Sequence, residues 1–267
     1  MKKYWSVFKI SFVQEFAYKA NFIMWRVRNV FQIFIVFFLW DSIFADPGRE
    51  LFGYNRAQIL TYVFGIIVVK AFVLSARAVD VAGEIADGRL TNYLLKPIGY
   101  FKYWLTRDLS SKALNFAFAT VEVGILYFIL RPPLFLQVSP IYVFAFLVAV
   151  ALAILIFFHL LFITGLVPFW YPEAAWGAQF LFVWVFTEFL SGATFPLDIL
   201  PIAIQKGLYL TPFPYLVFFP IQVYLGKLGA IEIVKGLGIM AAWIVFLRFT
   251  TNWLWHKGLR VYRAEGR

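Results

Sequence analysis

Residues Ile141–Val167 read IYVFAFLVAVALAILIFFHLLFITGLV, an apolar run that contains no Asp, Glu, Lys or Arg and a single histidine, His159. A helix rises about 1.5 Å per residue, so this run reaches across the roughly 30 Å of bilayer hydrocarbon. Lipid offers the backbone no hydrogen-bond partners, and an α-helix needs none from outside. The stretch therefore predicts a membrane-spanning helix, bounded downstream by Pro168, Trp170 and Pro172.

Further apolar runs lie on both sides of it. Toward the N-terminus, spans are expected at Phe22–Phe44, Ala57–Ala76 and Ala113–Leu130; toward the C-terminus, at Ala174–Phe195 and Ile231–Trp255. Asp46-Pro47-Gly48 supplies a turn after the first span, and Pro132 and Pro133 break the chain after the third. Composition agrees. The 267 residues are 63% hydrophobic and 14% charged, whereas a soluble domain carries about 45–50% apolar and about 25% charged residues. The expected fold is an all-α integral membrane protein with six transmembrane helices. Residues 1–267 are expected to form one transmembrane domain, because the apolar segments leave no room for a soluble one.

The segment before the first span is not expected to be a cleavable signal peptide, because Lys9, Glu15 and Lys19 interrupt any apolar region after Lys2 and Lys3. Trp5, Phe8, Phe12 and Phe16 share one helical stripe, flanked by Lys9 and Lys19. That pattern is expected as an N-terminal interfacial helix with snorkelling lysines, the alternative being the start of the first span.

Six spans put both termini on one side. The N-terminal segment through Arg28, the stretch Arg77–Lys112 and the tail after Trp255 hold sixteen Lys and Arg, against six in the opposite connections. This bias predicts an N-in, C-in orientation. The net charge of +10 is then explained by cytoplasmic loops and anionic lipid headgroups, not by nucleic acid. Between the fifth and sixth spans, Pro196, Pro201, Pro212, Pro214 and Pro220 exclude one straight helix. Irregular backbone at membrane depth needs protein or water around it. Leu197–Val223 is accordingly expected as short re-entrant helices, the alternative being two half-length spans.

Two sets of residues could carry function. The first is the cytoplasmic stretch Val81–Pro97, where residues up to Asp87 can form a short helix capped by Gly88. Its mixed charge suits either docking of a soluble partner or a solvated connector. The second is the intramembrane set Lys70, Glu122, His159 and Glu188. A charge at mid-bilayer costs about 2.5–3.5 kcal/mol, so such groups face protein or water. Lys70 is expected to pair with Glu122 or Glu188, either shaping a translocation path or packing as a structural ion pair. The chain has no cysteine, and His159 and His256 are far apart, which leaves no evident metal-ligand set.

Glu84-Ile85, then Gly88-Arg89-Leu90 and Leu94-Leu95-Lys96-Pro97, resemble the cytoplasmic loop of ABC type-2 exporter permeases. Ser191-Gly192-Ala193-Thr194-Phe195-Pro196-Leu197, Leu200-Pro201, Thr211-Pro212 and the ending Gly258-Leu259-Arg260-Val261-Tyr262 with Gly266 are similar to the same family. The resemblance covers the whole chain and implies the permease subunit of an ABC exporter in a prokaryotic plasma membrane. It implies an ATPase-coupling loop of Glu84, Ile85, Asp87, Gly88, Arg89 and Leu90, and a re-entrant segment that includes Gly192, Pro196, Pro201 and Pro212. It also implies two copies of an ABC ATPase and a second permease subunit, identical or related. No G-x-x-x-x-G-K-[ST] phosphate loop occurs here, so ATP and Mg would be bound by the partner ATPase and no cofactor by this chain. An unidentified, amphipathic or hydrophobic substrate is expected. An ion-coupled secondary transporter using Lys70, Glu122 and Glu188, or a non-transporting scaffold, are the other classes these residues allow.

Overall fold

The computed structural model describes residues 2–17, 19–46 and 48–262. The side chains of Phe16 and Lys19, together with Pro47, Arg263, Gly266 and Arg267, lie outside the described residues. The described residues are helical almost throughout. The helices are α1 (Lys2–Ala17), α2 (Lys19–Ile43), α3 (Arg56–Val73), α4 (Asp80–Ala86), α5 (Thr91–Leu94), α6 (Tyr100–Leu130) and α7 (Pro140–Gly165). They continue as α8 (Ala175–Phe180), a π-helical stretch (Leu181–Thr187), α9 (Glu188–Leu190), α10 (Ile202–Leu208), α11 (Phe218–Tyr224) and α12 (Ala230–Val261).

Four of these are long and apolar enough to cross a membrane: α3, α6, α7 with its short extension to Phe169, and α12. The expected first and fifth spans are not among the four. The first corresponds to α2, which carries Arg26, Arg28 and Asp41. The fifth is divided by the π-helical stretch, where Thr187 donates its hydroxyl to the Phe182 carbonyl at 2.9 Å. The third is longer than its apolar run suggests. Tyr100–Lys112, expected within a polar loop, is the first part of α6. Its Trp104, Asp108, Ser110, Ser111 and Lys112 are buried; Ser110 donates to the Phe8 carbonyl and Asp108 accepts the Arg77 amide, while the Trp104 indole N–H has no hydrogen-bond partner among the described residues.

Local chemistry sets the helix ends. Asn55 caps α3: its side chain accepts from the Gln58 amide at 2.9 Å while Gln58 Oε1 accepts from the Asn55 amide at 3.2 Å. At the other end of α3 the Lys112 ammonium, 3.3 Å from Asp108, donates to the Val73 carbonyl at 3.1 Å and also to that of Ser75. A cation at a helix C-terminus satisfies carbonyls that the helix itself leaves open. Arg131 adopts φ +44° and ends α6 just before Pro132.

Helices α2 and α3 are antiparallel: Asp41 pairs with Arg56 at 2.8 Å, and the Phe37 and Phe64 rings meet at 6.2 Å. This register sets Arg28 level with Lys70. Helix α6 lies alongside α3, with Phe116 stacked on Phe72 at 4.5 Å. Helix α1 lies against α6, where Ser110 donates to the Phe8 carbonyl at 3.0 Å. Within α1, Trp5, Phe8 and Phe12 stack successively, as the stripe predicts.

Helix α12 runs along α7 and is held by two close approaches. An added Cβ at Gly236 would lie 2.2 Å from the Phe219 ring, and one at Gly258 would lie 2.1 Å from Phe169. Such contacts let helix backbones approach closely, as small residues do in membrane packing. Around Gly238 nothing lies within 4 Å. Gly236→Ala should gain about 1 kcal/mol of helix propensity, yet overpack the buried Phe219 at a cost of about 1–3 kcal/mol. The expected net result is a lower Tm in detergent, whereas Gly238→Ala should leave Tm unchanged or raise it; thermal unfolding of both variants decides this.

Candidate functional site: a charged cavity and a braced loop

A cavity of about 720 Å³ opens between α2, α3, α6, α7 and the α8–α9 run. Ligand sites commonly span about 300–1,000 Å³. Its lining includes Glu15, Arg26, Arg28, Lys70, Arg77, Glu122 and Glu188. Lys70 and Glu188 form an ion pair at 2.5 Å, which selects between the two partners that the sequence leaves open to Lys70. Glu122 pairs instead with Arg26 at 3.0 Å, and the same guanidinium donates to the Asn115 side chain at 2.6 Å. Arg77 pairs with Glu15, with Nε to Oε1 at 2.5 Å. All three path residues expected from sequence therefore line one cavity. His159 lies apart from it, its Nδ1 at 2.7 Å from the Leu155 carbonyl and its ring against Phe101.

The cavity is polarised along its length. On α2 the lining passes from Arg26, Arg28, Asn29 and Gln32 to Ile33 and Val36; on α3 it passes from Val63, Ile66 and Ile67 to Lys70. Because these helices are antiparallel, their charged ends coincide and so do their apolar ends. Sequence reading assigns Arg26 and Arg28 only to the cytoplasmic end of the first span and gives no role to Glu15, Arg77 or Gln179. The i, i+4 spacing of Arg28 and Gln32, with Asn29 beside them, was the available signal of an inward polar face.

In the loop between α3 and α6, α4 ends at Ala86, and Gly88 follows with φ +71°, a left-handed conformation that glycine adopts readily. The residues expected to couple to an ATPase divide into two groups. Glu84, Ile85 and Leu90 are buried, and Glu84 accepts a hydrogen bond from Tyr100 at 2.8 Å. Asp87 and Arg89 are exposed and pair at 2.7 Å. Beyond them Leu94 and Leu95 are exposed, Leu95 by 82%. The loop is braced from the far end of the chain: Tyr262 donates to the Gly88 carbonyl at 2.7 Å and lies 3.3 Å from the Thr91 hydroxyl.

The proline-rich segment packs onto the same helices. Gly192 has φ +81°, and a Cβ there would meet the Tyr62 hydroxyl at 2.8 Å and Phe218 Cβ at 2.9 Å, so only glycine fits. Tyr62 donates to the Gly192 carbonyl at 2.7 Å. Pro196 and Pro201 directly precede the single-turn helix at Leu197–Ile199 and α10, and Pro212 precedes the turn at Phe213–Tyr215. In each case proline sits where a helix begins and its missing N–H costs nothing. Asp198 receives hydrogen bonds from Tyr54 at 2.6 Å and Gln222 at 2.9 Å, with the Lys227 ammonium 3.0 Å above the Tyr54 ring.

Two outcomes follow from this geometry. Lys70→Met removes the cation paired directly with Glu188. Full burial would make such a loss worth about 3–5 kcal/mol, and the partial exposure of this pair reduces it to about 2 kcal/mol. Adding Glu188→Gln should recover most of the lost thermal stability, and a double-mutant cycle of unfolding in detergent measures the coupling. Burial raises the pKa of Glu84, opposed by the hydrogen bond from Tyr100. A raised folded-state value means that the native protein binds more protons than the unfolded one. The penalty is therefore absent below the ordinary carboxylate range and grows as pH rises from there to the folded-state value. Glu84→Gln keeps an acceptor for Tyr100 and removes the charge, so it should unfold at a higher temperature than the parent at neutral pH and lose that advantage in acid.

The sequence model of the ABC-2 family transporter proteins matches residues 30–266. No curated protein matches the chain. The family match begins within α2 and takes in the cavity's helices, the braced loop and the proline-rich segment. This helical membrane protein belongs to the ABC-2 transporter family.

Proposed function

We propose that this chain is the permease subunit of an ATP-driven exporter in a prokaryotic plasma membrane. Residues 1–267 act as a single permease domain with six spans: α2, α3, α6, α7, the α8–α9 run and α12. Both termini face the cytoplasm, as the distribution of Lys and Arg favours, and α1 lies at the interface. The segment Leu197–Val223 dips into the membrane and returns. Supporting this, α11 is buried from Phe218 to Val223, while Ile202 and Ile204 of α10 are exposed. ATP and Mg bind two copies of a partner ATPase, and a second permease subunit completes the path.

The observation that carries this reading is the braced loop on a chain of the ABC-2 family. Arg89, Asp87, Leu94 and Leu95 present charge and apolar surface outward, while Glu84 and Tyr262 tie the same loop to α6 and α12. A partner that moves the exposed side therefore pushes on spanning helices. Closure of the ATPases on ATP would shift the population toward an outward-open state. The cavity holding Lys70, Glu122 and Glu188 forms part of the path of an amphipathic substrate.

The test is a gentle detergent pull-down of the tagged chain from its native host. An ABC ATPase should accompany the parent, and Arg89→Glu and Leu95→Asp should each reduce its recovery without lowering the amount of folded permease. Glu84 is unsuited to this test, because its side chain points into the fold. Recovery of intact chain without any ABC ATPase, across several neutral detergents, would overturn the reading and favour an ion-coupled transporter built on Lys70 and Glu188.

A further inference from the structure

Helix α12 presents two faces near its C-terminal end. One packs on the bundle: Leu247, Thr251 and Gly258 are buried, and the Trp255 ring meets those of Tyr100 and Phe169. The other carries Phe249, Asn252, Trp253, His256, Lys257 and Arg260, which follow the three- and four-residue steps of a single helix face and line a shallow cleft of about 320 Å³. All six are exposed. Along this face the chemistry changes once. Val245, Phe246 and Phe249 form exposed apolar surface at one end, Lys257 and Arg260 stand at the other, and Trp253 lies between them. The Lys257 ammonium sits 4.0 Å over the Trp253 ring, and His256 turns its Nδ1 back to the Asn252 carbonyl at 2.7 Å. Among the described residues neither Lys257 nor Arg260 has a carboxylate partner. Helix α7 and its extension to Phe169, on which α12 packs, contain no Asp or Glu, and Glu232 of α12 lies at that helix's other end. Asp87, in the loop that Tyr262 braces, is paired with Arg89. Depth fits the same pattern. Helix α12 is long and apolar enough to cross a membrane, and tryptophan favours the headgroup level. From Trp253 to Arg260 the helix rises about 10 Å, comparable with the roughly 5–8 Å headgroup layer on each side of the hydrocarbon. A bilayer that holds Trp253 at that level sets Lys257 and Arg260 among phosphates and Phe246 and Phe249 among acyl chains.

We propose that this face of α12 holds an anionic phospholipid, its phosphate between Lys257 and Arg260 and an acyl chain along Trp253, Phe249 and Phe246. Residues three apart on a helix have Cβ atoms about 5–6 Å from each other, so one phosphate diester can accept from both side chains, the guanidinium offering two N–H groups to it. A zwitterionic phospholipid brings its own cation beside two cations that lack a carboxylate, which makes it the poorer occupant. A soluble partner would have to cover Phe246 and Phe249, which lie at acyl-chain depth. This site goes beyond the permease reading: it requires only that α12 cross the bilayer, and it needs neither an ATPase nor a transported substrate.

The test uses the purified full-length chain in phosphatidylcholine vesicles that contain a minor share of phosphatidylglycerol. Bromines, which quench indole fluorescence on contact, are carried by the acyl chains of the phosphatidylglycerol in one preparation and by an equal amount of phosphatidylcholine in the other. Each protein is compared with its own Trp253→Phe counterpart, so that the difference isolates Trp253. The expected result is stronger quenching of Trp253 by the brominated phosphatidylglycerol. Lys257→Gln and Arg260→Gln should each lower the fitted preference for that lipid by about fivefold, the factor that one basic side chain contributes at an anionic surface. Both positions are exposed, and either variant can decide if the other fails to fold. Lys102→Gln, at an exposed position of α6 two residues beyond the Tyr100 that stacks on Trp255, should leave the preference unchanged. Equal quenching by the two lipids, or no change in the folded Lys257 and Arg260 variants, would overturn the proposal. So would an equal fall in Lys102→Gln, which would mean diffuse surface charge. Quenching of Trp253 by neither lipid would overturn it in favour of a protein, such as a second copy of this chain, covering the face. No ATPase is present in the vesicles, so none of these outcomes depends on the permease reading.

Discussion

Hydrocarbon dissolves neither a charge nor a bare peptide group, so polar groups within a spanning bundle are stable where protein or water meets them. The arrangement of helices here follows from that demand. Lys112 and Asp108, both almost fully buried, answer each other, and together they close the end of α3, where the lysine takes two open carbonyls and the aspartate accepts the Arg77 amide at 2.9 Å. Arg77 in turn holds Glu15 of α1. One chain of polar contacts thus joins α1, α3 and α6, and it lies beside the cavity in which Arg26 pairs with Glu122 and Lys70 with Glu188 across helices.

The same demand explains why the cavity is polar at one end. Arg26 on α2 reaches Glu122 on α6, and Lys70 on α3 reaches Glu188 at the start of α9. Each pair ties together elements distant in sequence, and each pairing places its charges against a space that a ligand or water could enter. The π-helical stretch lies just before Glu188 and shifts the helical register there. Such local widening often accompanies functional sites in helices.

The loop between α3 and α6 and the proline-rich segment are each tied to longer helices. On one side Glu84, Tyr100 and Tyr262 fix the loop to long helices; on the other, Tyr62, Gly192 and Asp198 fix the proline-rich segment to α3 and the stretch before it. Helix α3 runs into the loop at its C-terminal end, and its Tyr62 holds the Gly192 carbonyl. Close glycine contacts at Gly236 and Gly258 make the α12 connection stiff, since close-packed interiors transmit strain.

The sequence by itself determined the helical membrane class, the approximate places of α3, α7 and α12, the family, and the short helix ending at Gly88, because apolar run length, proline position and glycine conformation are local properties. It also marked Lys70, Glu122 and Glu188 as groups that need partners. Only the tertiary structure decided which partners they have. Lys70 with Glu188 and Arg26 with Glu122 depend on helix register and packing, which no local pattern encodes. Burial of Glu84 beside exposure of Arg89, five residues apart, is equally a matter of what packs over the loop. The helical first part of α6 was hidden for the same reason: its polar residues look solvated in sequence, and they are buried because α1 and the end of α3 cover them.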